Sequence, residues 1–134
     1  SALVRGRISK NRFTTEVLTK DLQEFPSASP LALTKENKHT WMQGPNGLGR
    51  FDHERGEQDL WNNPNGQLAS EPVFVPRPKA AHEGEGWVLS LILDGPSDKS
   101  FLGVFDAMNM AGGPRAKLWF DQRIPLTFHG QFVA

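Results

Sequence analysis

The sequence of 134 residues contains no cysteine. This absence excludes disulfide bonds, zinc fingers, iron–sulfur clusters and cysteine nucleophiles from the chain. A metal ion bound here would have to be held by histidine or carboxylate side chains, and only four histidines are present.

The chain also lacks an excess of either charge and any long apolar run. Fifteen Lys and Arg residues balance fifteen Asp and Glu residues, and no dense basic run occurs, so we expect no nucleic-acid partner. Apolar runs such as residues 87–89 stop after a few positions, whereas a membrane-spanning helix needs about 20. We therefore expect no transmembrane segment. The start at Ser1 shows neither an apolar signal stretch nor an initiator methionine, which favours a piece of a longer, cytoplasmic protein.

Turn-forming residues are frequent. Thirteen glycines and ten prolines make up about 17% of the chain, against an average of roughly 12%, and this favours many turns over long helices. Apolar segments at residues 87–94 and 101–107 flank the turn sequence Gly-Pro-Ser-Asp at 95–98. This pattern predicts an antiparallel hairpin. In all, we expect about ten short strands and no convincing helix.

The last residues alternate in polarity and predict a final strand. One face would carry Leu126, Phe128, Gly130 and Phe132, and the other Thr127, His129, Gln131 and Val133. On this interpretation His129 points away from the apolar face.

Short strands at regular spacing, separated by turns, predict an all-β sandwich, barrel or propeller. A propeller blade takes about 40 residues, so the chain would supply about two to three blades. That number does not close a ring and leaves strand edges uncovered. Composition alone does not distinguish a propeller segment from a sandwich.

The histidines are candidate metal ligands with no local partner. His129 lies in the alternating final segment, and a single histidine there is typical of a surface or core residue. His39, His53 and His82 lack the spacing that prearranges two ligands on one element. A site built from these four side chains alone is only weakly indicated.

Two glutamates stand at unusual positions. Glu71 directly precedes Pro72 and the strand-like Val-Phe-Val segment, and Glu24 precedes Phe25 and Pro26. Each is either an exposed carboxylate at a strand end or a carboxylate that orients a ligating imidazole, because metal-bound histidines commonly donate their other N–H to such a group.

The four tryptophans leave two interpretations open. They are Trp41, Trp61, Trp87 and Trp119. They either build the core, as large aromatic residues usually do, or line a groove for a sugar or aromatic ligand.

The order of the motifs is more informative than any one of them. In sequence these are Glu-Phe-Pro at 24–26, Ser-Glu-Pro-Val-Phe-Val-Pro-Arg-Pro at 70–78, Gly-Trp-Val-Leu at 86–89, Gly-Gly-Pro at 112–114 and Ile-Pro-Leu-Thr-Phe-His-Gly at 124–130. This arrangement resembles the C-terminal part of the carotenoid cleavage oxygenases, a family that includes the retinal-pigment-epithelium isomerohydrolase and bacterial lignostilbene dioxygenases. The resemblance covers essentially the whole chain and is firmest over residues 70–133.

The resemblance implies an all-β fold that is part of a seven-bladed β-propeller with a non-haem Fe(II) on its axis. In the family four histidines bind the iron, and three glutamates orient these histidines without binding the iron themselves. The Phe-His-Gly motif places the last iron ligand at His129, and the two glutamate motifs place Glu24 and Glu71 next to the ligating histidines. The second ring nitrogen of His129 is expected to donate to a carboxylate, that of Glu71. The other three ligands belong to motifs that this chain lacks, so residues 1–134 are expected to be the C-terminal segment of a single propeller domain. The remainder would come from upstream sequence or from another chain.

The implied reaction is oxidative cleavage of a conjugated C=C bond by O2, in a carotenoid, apocarotenoid or stilbene-like substrate. Neutral imidazoles are suitable ligands for Fe(II). The partners of the complete protein would be O2 and an apolar conjugated small molecule. The chain alone is expected to be inactive, because three ligands are missing. The alternatives are a non-catalytic β-domain that binds an apolar or sugar ligand, and a silent paralogue that keeps the fold.

Overall fold

The computed structural model describes residues 1–126 and 128–133. Across these residues the backbone forms eleven β-strands and one 3-10 helix, Pro30–Ala32. The strands are β1 (Val4–Ser9), β2 (Arg12–Val17), β3 (Glu24–Ser27), β4 (His39–Gly44), β5 (Gly47–Asp52), β6 (Glu57–Asn62), β7 (Gln67–Ala69), β8 (Val73–Pro76), β9 (Gly86–Asp94), β10 (Lys99–Asp106) and β11 (Pro114–Trp119). The all-β prediction is confirmed.

The strands form three antiparallel sheets. Strands β1 and β2 make a two-stranded hairpin, and β3-β4-β5-β6 make a four-stranded sheet in sequence order. The third sheet has the order β11-β10-β9-β7, and β8 pairs with β9 as well. Propeller blades are sheets of this kind, in which most neighbouring strands also follow one another in the sequence.

Strand β9 is the centre of the C-terminal sheet. It pairs with β10 from Trp87↔Asp106 to Asp94↔Lys99, which confirms the predicted hairpin. Its other edge pairs with β7 and β8. One face of β9 is fully buried, whereas Leu89 and Leu91 on the other face are half-buried. The short strand β7 was not predicted, because three residues carry no alternating pattern.

The core lies between the two larger sheets and explains two of the tryptophans. Trp41 on β4 is fully buried, stacks on Phe74 at 4.3 Å between ring centroids, and donates its indole N–H to the Ala107 carbonyl at 2.8 Å. Trp61 on β6 meets Phe105 edge to face at 5.0 Å. Both side chains are therefore core and are not available to a ligand.

The predicted final strand is not present. Residues 126 and 128–133 form no strand, and Thr127 lies outside the described residues. Phe128, placed on the apolar face by the alternation, is 77% exposed. A strand needs a neighbour that accepts and donates backbone hydrogen bonds, whereas here the Gly130 N–H binds a carboxylate. The prediction that strand alternation separates His129 from Phe128 is therefore wrong, and both rings lie against Phe25.

Candidate metal centre

Glu71 lies in the short connection between two strands that both pair with β9. Just before it, the Ser70 N–H donates to the Leu91 carbonyl at 2.8 Å, and the Ser90 hydroxyl donates to the Ser70 carbonyl at 2.9 Å. Just after it, Pro72 is fully buried and β8 begins. The backbone at Glu71 is thus held on both sides, and the side chain is only 16% exposed.

The Glu71 carboxylate binds two consecutive residues of the C-terminal segment. Its Oε2 lies 3.2 Å from His129 Nδ1, and its Oε1 accepts the backbone N–H of Gly130. A carboxylate only accepts hydrogen bonds, so Nδ1 must carry the proton. In the neutral ring this leaves the lone pair on Nε2.

The His129 ring is open on the side away from Glu71. Its side chain is 77% exposed, and Nε2 has no hydrogen-bond partner within the described part of the chain. An imidazole whose Nδ1–H is held by a carboxylate and whose Nε2 is accessible is the arrangement found at metal-ligating histidines.

Phe25 on β3 is the third side chain of this group. Its ring lies edge to face against the His129 imidazole, with 5.6 Å between centroids and an interplanar angle of 83°. It also contacts Phe128, with centroids 6.4 Å apart. Sequence reasoning missed this contact, although the Glu-Phe-Pro motif that holds Phe25 was the available signal.

Glu24 does not join Glu71 and His129. It begins β3, its backbone is in register with Gln43 on β4, and its side chain is exposed. Its carboxylate makes no hydrogen bond or ion pair to any residue within 1–126 and 128–133. Its role behind a metal ligand stays a prediction.

Two of the other histidines are engaged by arginines. The Arg50 guanidinium donates to His39 Nδ1 at 3.0 Å, and burial together with Arg50 lowers the pKa of His39. The Arg5 guanidinium donates to His53 Nδ1 at 2.6 Å. His82 is exposed on the loop before β9. Among the described residues, none of these three histidines binds Glu71 or His129.

The described residues offer a metal ion one oriented imidazole, that of His129. Over residues 1–126 and 128–133, no three His, Asp or Glu side chains come together as ligands. The donor chemistry of His129 nevertheless fits Fe(II), which accepts neutral imidazole nitrogen. Any further ligands would come from elsewhere.

An apolar pocket of about 260 Å³ adjoins Glu71. Apolar walls come from Val73, Leu89, Leu91, Leu102 and Phe132. The site therefore combines one carboxylate-oriented imidazole with a neighbouring apolar surface.

These sheets define part of a β-propeller, in which one histidine, His129, is hydrogen-bonded to a glutamate, Glu71. The family model described as retinal pigment epithelial membrane protein matches residues 2–134. The chain belongs to this family, the carotenoid oxygenases. In the described residues, no helix is both long enough and apolar enough to cross a membrane.

Named relatives agree with this assignment. A carotenoid dioxygenase of Neurospora crassa is 34% identical over 131 residues, which cover 92% of this chain and 21% of that protein. Lignostilbene-alpha,beta-dioxygenase isozyme III of Sphingomonas paucimobilis is 27% identical, over 96% of this chain and 30% of that protein. The chain thus spans about a fifth to three tenths of these relatives.

Solved structures show the same fold. Cobalt-substituted apocarotenoid oxygenase from Synechocystis superposes with a TM-score of 0.92 and 25% identity, over 98% of this chain and 30% of that one. Lignostilbene dioxygenase from Pseudomonas brassicacearum gives a TM-score of 0.82 at 24% identity, over 90% of this chain and 29% of that one. The prediction of a partial propeller is confirmed.

Proposed function

We propose that this chain is the C-terminal part of a non-haem Fe(II) dioxygenase, the C-terminal segment of a single propeller domain. The complete protein would use O2 to cleave a conjugated C=C bond oxidatively in a carotenoid, apocarotenoid or stilbene-like substrate. The observation that carries the proposal is the Glu71–His129 hydrogen bond, which leaves Nε2 accessible. Relatives named as carotenoid and lignostilbene dioxygenases support the reaction class.

His129 would hold the iron through Nε2. Glu71 keeps the proton on Nδ1, fixes the direction of the ring and makes the imidazole a better donor. The Gly130 N–H binds the other carboxylate oxygen and so prevents Glu71 from rotating away. The iron would supply the O2 activation that amino-acid side chains do not provide. Glu24 would act in the same way on a histidine outside this chain.

The proposed substrate is uncharged and apolar. Five aliphatic or aromatic side chains line the pocket beside Glu71, and such walls accept a hydrocarbon better than a charged group. The proposed partners are therefore O2 and a conjugated small molecule, with the missing ligands supplied by upstream sequence or another chain. The cytoplasm stays the predicted compartment.

Replacing His129 by alanine in the complete protein tests the proposal. Since His129 is exposed, we expect His129→Ala to keep the fold, as judged by circular dichroism, and to abolish iron retention and cleavage. Metal content is measured by mass spectrometry and cleavage by chromatography of the carbonyl products. His82→Ala, on an exposed loop, is the matched control and should keep both. Full activity in His129→Ala would contradict the proposed function.

A further inference from the structure

Phe25 has an unusual backbone conformation. Its φ is +50°, in the left-handed region that bulky side chains rarely adopt. Pro26 follows it and restricts the conformation of Phe25 further. Strand β3 also shifts its register with β4 between Glu24 and Ser27. A bulge of this kind redirects a side chain, and such strain is typical of functional sites.

The other non-glycine residues with positive φ have an ordinary explanation. They are Lys10, Thr34, Lys79 and Asp98, and each lies in a turn. Phe25, in contrast to these four residues, lies within a strand. Chain reversal therefore does not account for its conformation, which goes with the register shift of β3 and brings its ring against His129.

That contact completes the support of the His129 ring. The hydrogen bond from Nδ1 to Glu71 Oε2 fixes the direction of the Nδ1–H bond. It leaves the imidazole ring free to rotate about the axis of that hydrogen bond. The Phe25 ring, edge to face at 5.6 Å, lies within the range of favourable aromatic pairs and opposes this rotation. Two different contacts thus define the ring plane.

We propose that Phe25 is a positioning residue for the candidate ligand: its strained backbone holds the phenyl ring against His129 and fixes the imidazole plane before a metal binds. This inference rests on the proposed function of His129. The inference gives Phe25, the middle residue of the Glu-Phe-Pro motif, a role of its own, whereas the resemblance assigned a role only to Glu24.

The test uses the complete protein with Co(II) as the probe, because its visible absorption reports ligand geometry independently of activity. Phe25→Gly removes the ring and relieves the backbone, since glycine adopts positive φ freely. We expect Co(II) affinity to fall about 10-fold, as for other groups that orient a ligand, and the absorption bands to shift. The thermal midpoint should stay equal or rise. If Phe25 were needed only for stability, Phe25→Gly would lower the thermal midpoint and leave Co(II) affinity and the absorption bands unchanged.

Two variants and one control complete the design. Phe25→Tyr keeps the aromatic contact and should restore both affinity and spectrum. Phe25→Leu keeps bulk without the aromatic ring and should still shift the spectrum, which decides the question if the glycine variant does not fold. Lys10→Gly relieves a similar φ, +47° in the β1–β2 turn, and should leave Co(II) binding unchanged.

The outcomes separate the two proposals. If His129→Ala binds Co(II) with an unchanged spectrum, the proposed function itself is wrong. If His129→Ala loses Co(II) while Phe25→Gly and Phe25→Leu keep wild-type affinity and spectrum, only the positioning role of Phe25 is overturned.

Discussion

The Glu71 carboxylate uses both oxygens on two adjacent residues. One oxygen accepts from the His129 ring and the other from the Gly130 backbone. A single substitution that removes one acceptor therefore disturbs the ring, the backbone or both, without changing the size of the side chain.

Glu71→Gln makes this change. The amide has one accepting oxygen and an NH2 group that cannot accept, so one of the two donors loses its partner. We expect the fold to be kept, and metal affinity or the cleavage rate to fall about 10–100-fold. Metal titration and initial rates on the complete protein measure this.

Glu83→Gln is the matched control. Glu83 also binds two backbone donors with its carboxylate, the N–H groups of Lys38 and His39, both at 2.9 Å. It makes no contact with His129 among the described residues. The control should cost about 1–3 kcal/mol of stability and leave metal affinity unchanged. Wild-type affinity and rates in Glu71→Gln would show that Glu71 does not orient a ligand.

At the scale of elements, a histidine joins the β1–β2 hairpin to the four-stranded sheet. Arg5 on β1 only donates, so His53 Nδ1 must accept and the imidazole must be neutral. The Nε2–H then donates to the Thr40 hydroxyl at 2.8 Å. Burial and the Arg5 charge lower the pKa of His53. Of the other charged groups around it, His39 acts in the same direction, and Asp52 and Glu83 oppose it.

This contact predicts a pH-dependent stability. In the unfolded chain His53 takes up a proton near its ordinary pKa of 6.5, whereas in the folded protein it does so at lower pH. The unfolded state therefore binds more protons in this window, so stability is complete above about pH 6.5 and is lost as the pH falls toward the folded-state pKa. Urea unfolding of the complete protein between pH 5.5 and 7.5 measures the loss, which should be smaller in His53→Gln.

The control for this experiment is His82→Gln, on the exposed loop before β9. It should show the wild-type pH dependence. Part of the dependence should also survive in His53→Gln, because burial and Arg50 lower the pKa of His39 independently. Identical curves for wild type and His53→Gln would refute the role of the Arg5–His53 contact.

At the scale of the whole molecule, large apolar side chains are exposed at both ends of the chain. In the β1–β2 hairpin, Val4 faces Val17 and Ile8 faces Phe13, so all four share one face, and Ile8 is 83% exposed. At the other end, Trp119 on the edge strand β11 is 50% exposed. In a complete propeller, neighbouring blades would cover surfaces of this kind.

The isolated chain is therefore expected to be oligomeric, poorly soluble or partly unfolded. Open strand edges pair readily with other chains, and uncovered apolar faces bind one another. Light scattering after size-exclusion chromatography and thermal unfolding test this expectation. A monodisperse monomer with a sharp, cooperative transition would contradict it.

Most of the fold was predictable from the sequence because it depends on local signals. The apolar segments on either side of the Gly-Pro turn after Asp94 predicted β9 and β10. The sequence failed where a strand depends on its neighbour. Strand β7 exists because β9 offers it a free edge, whereas residues 128–133 alternate but pair with no strand among the described residues.

For the candidate site, the sequence by itself determined which residues are available. The motifs singled out His129 and Glu71, which are 58 residues apart. The resemblance implied that they pair, and the tertiary structure brings them together, because the β7–β8 connection, the bulge of β3 and the C-terminal segment converge at this point. It also placed the Phe25 ring there and left Glu24 apart. Which side chains touch depends on how separate sheets pack, and no local pattern in the sequence encodes that packing.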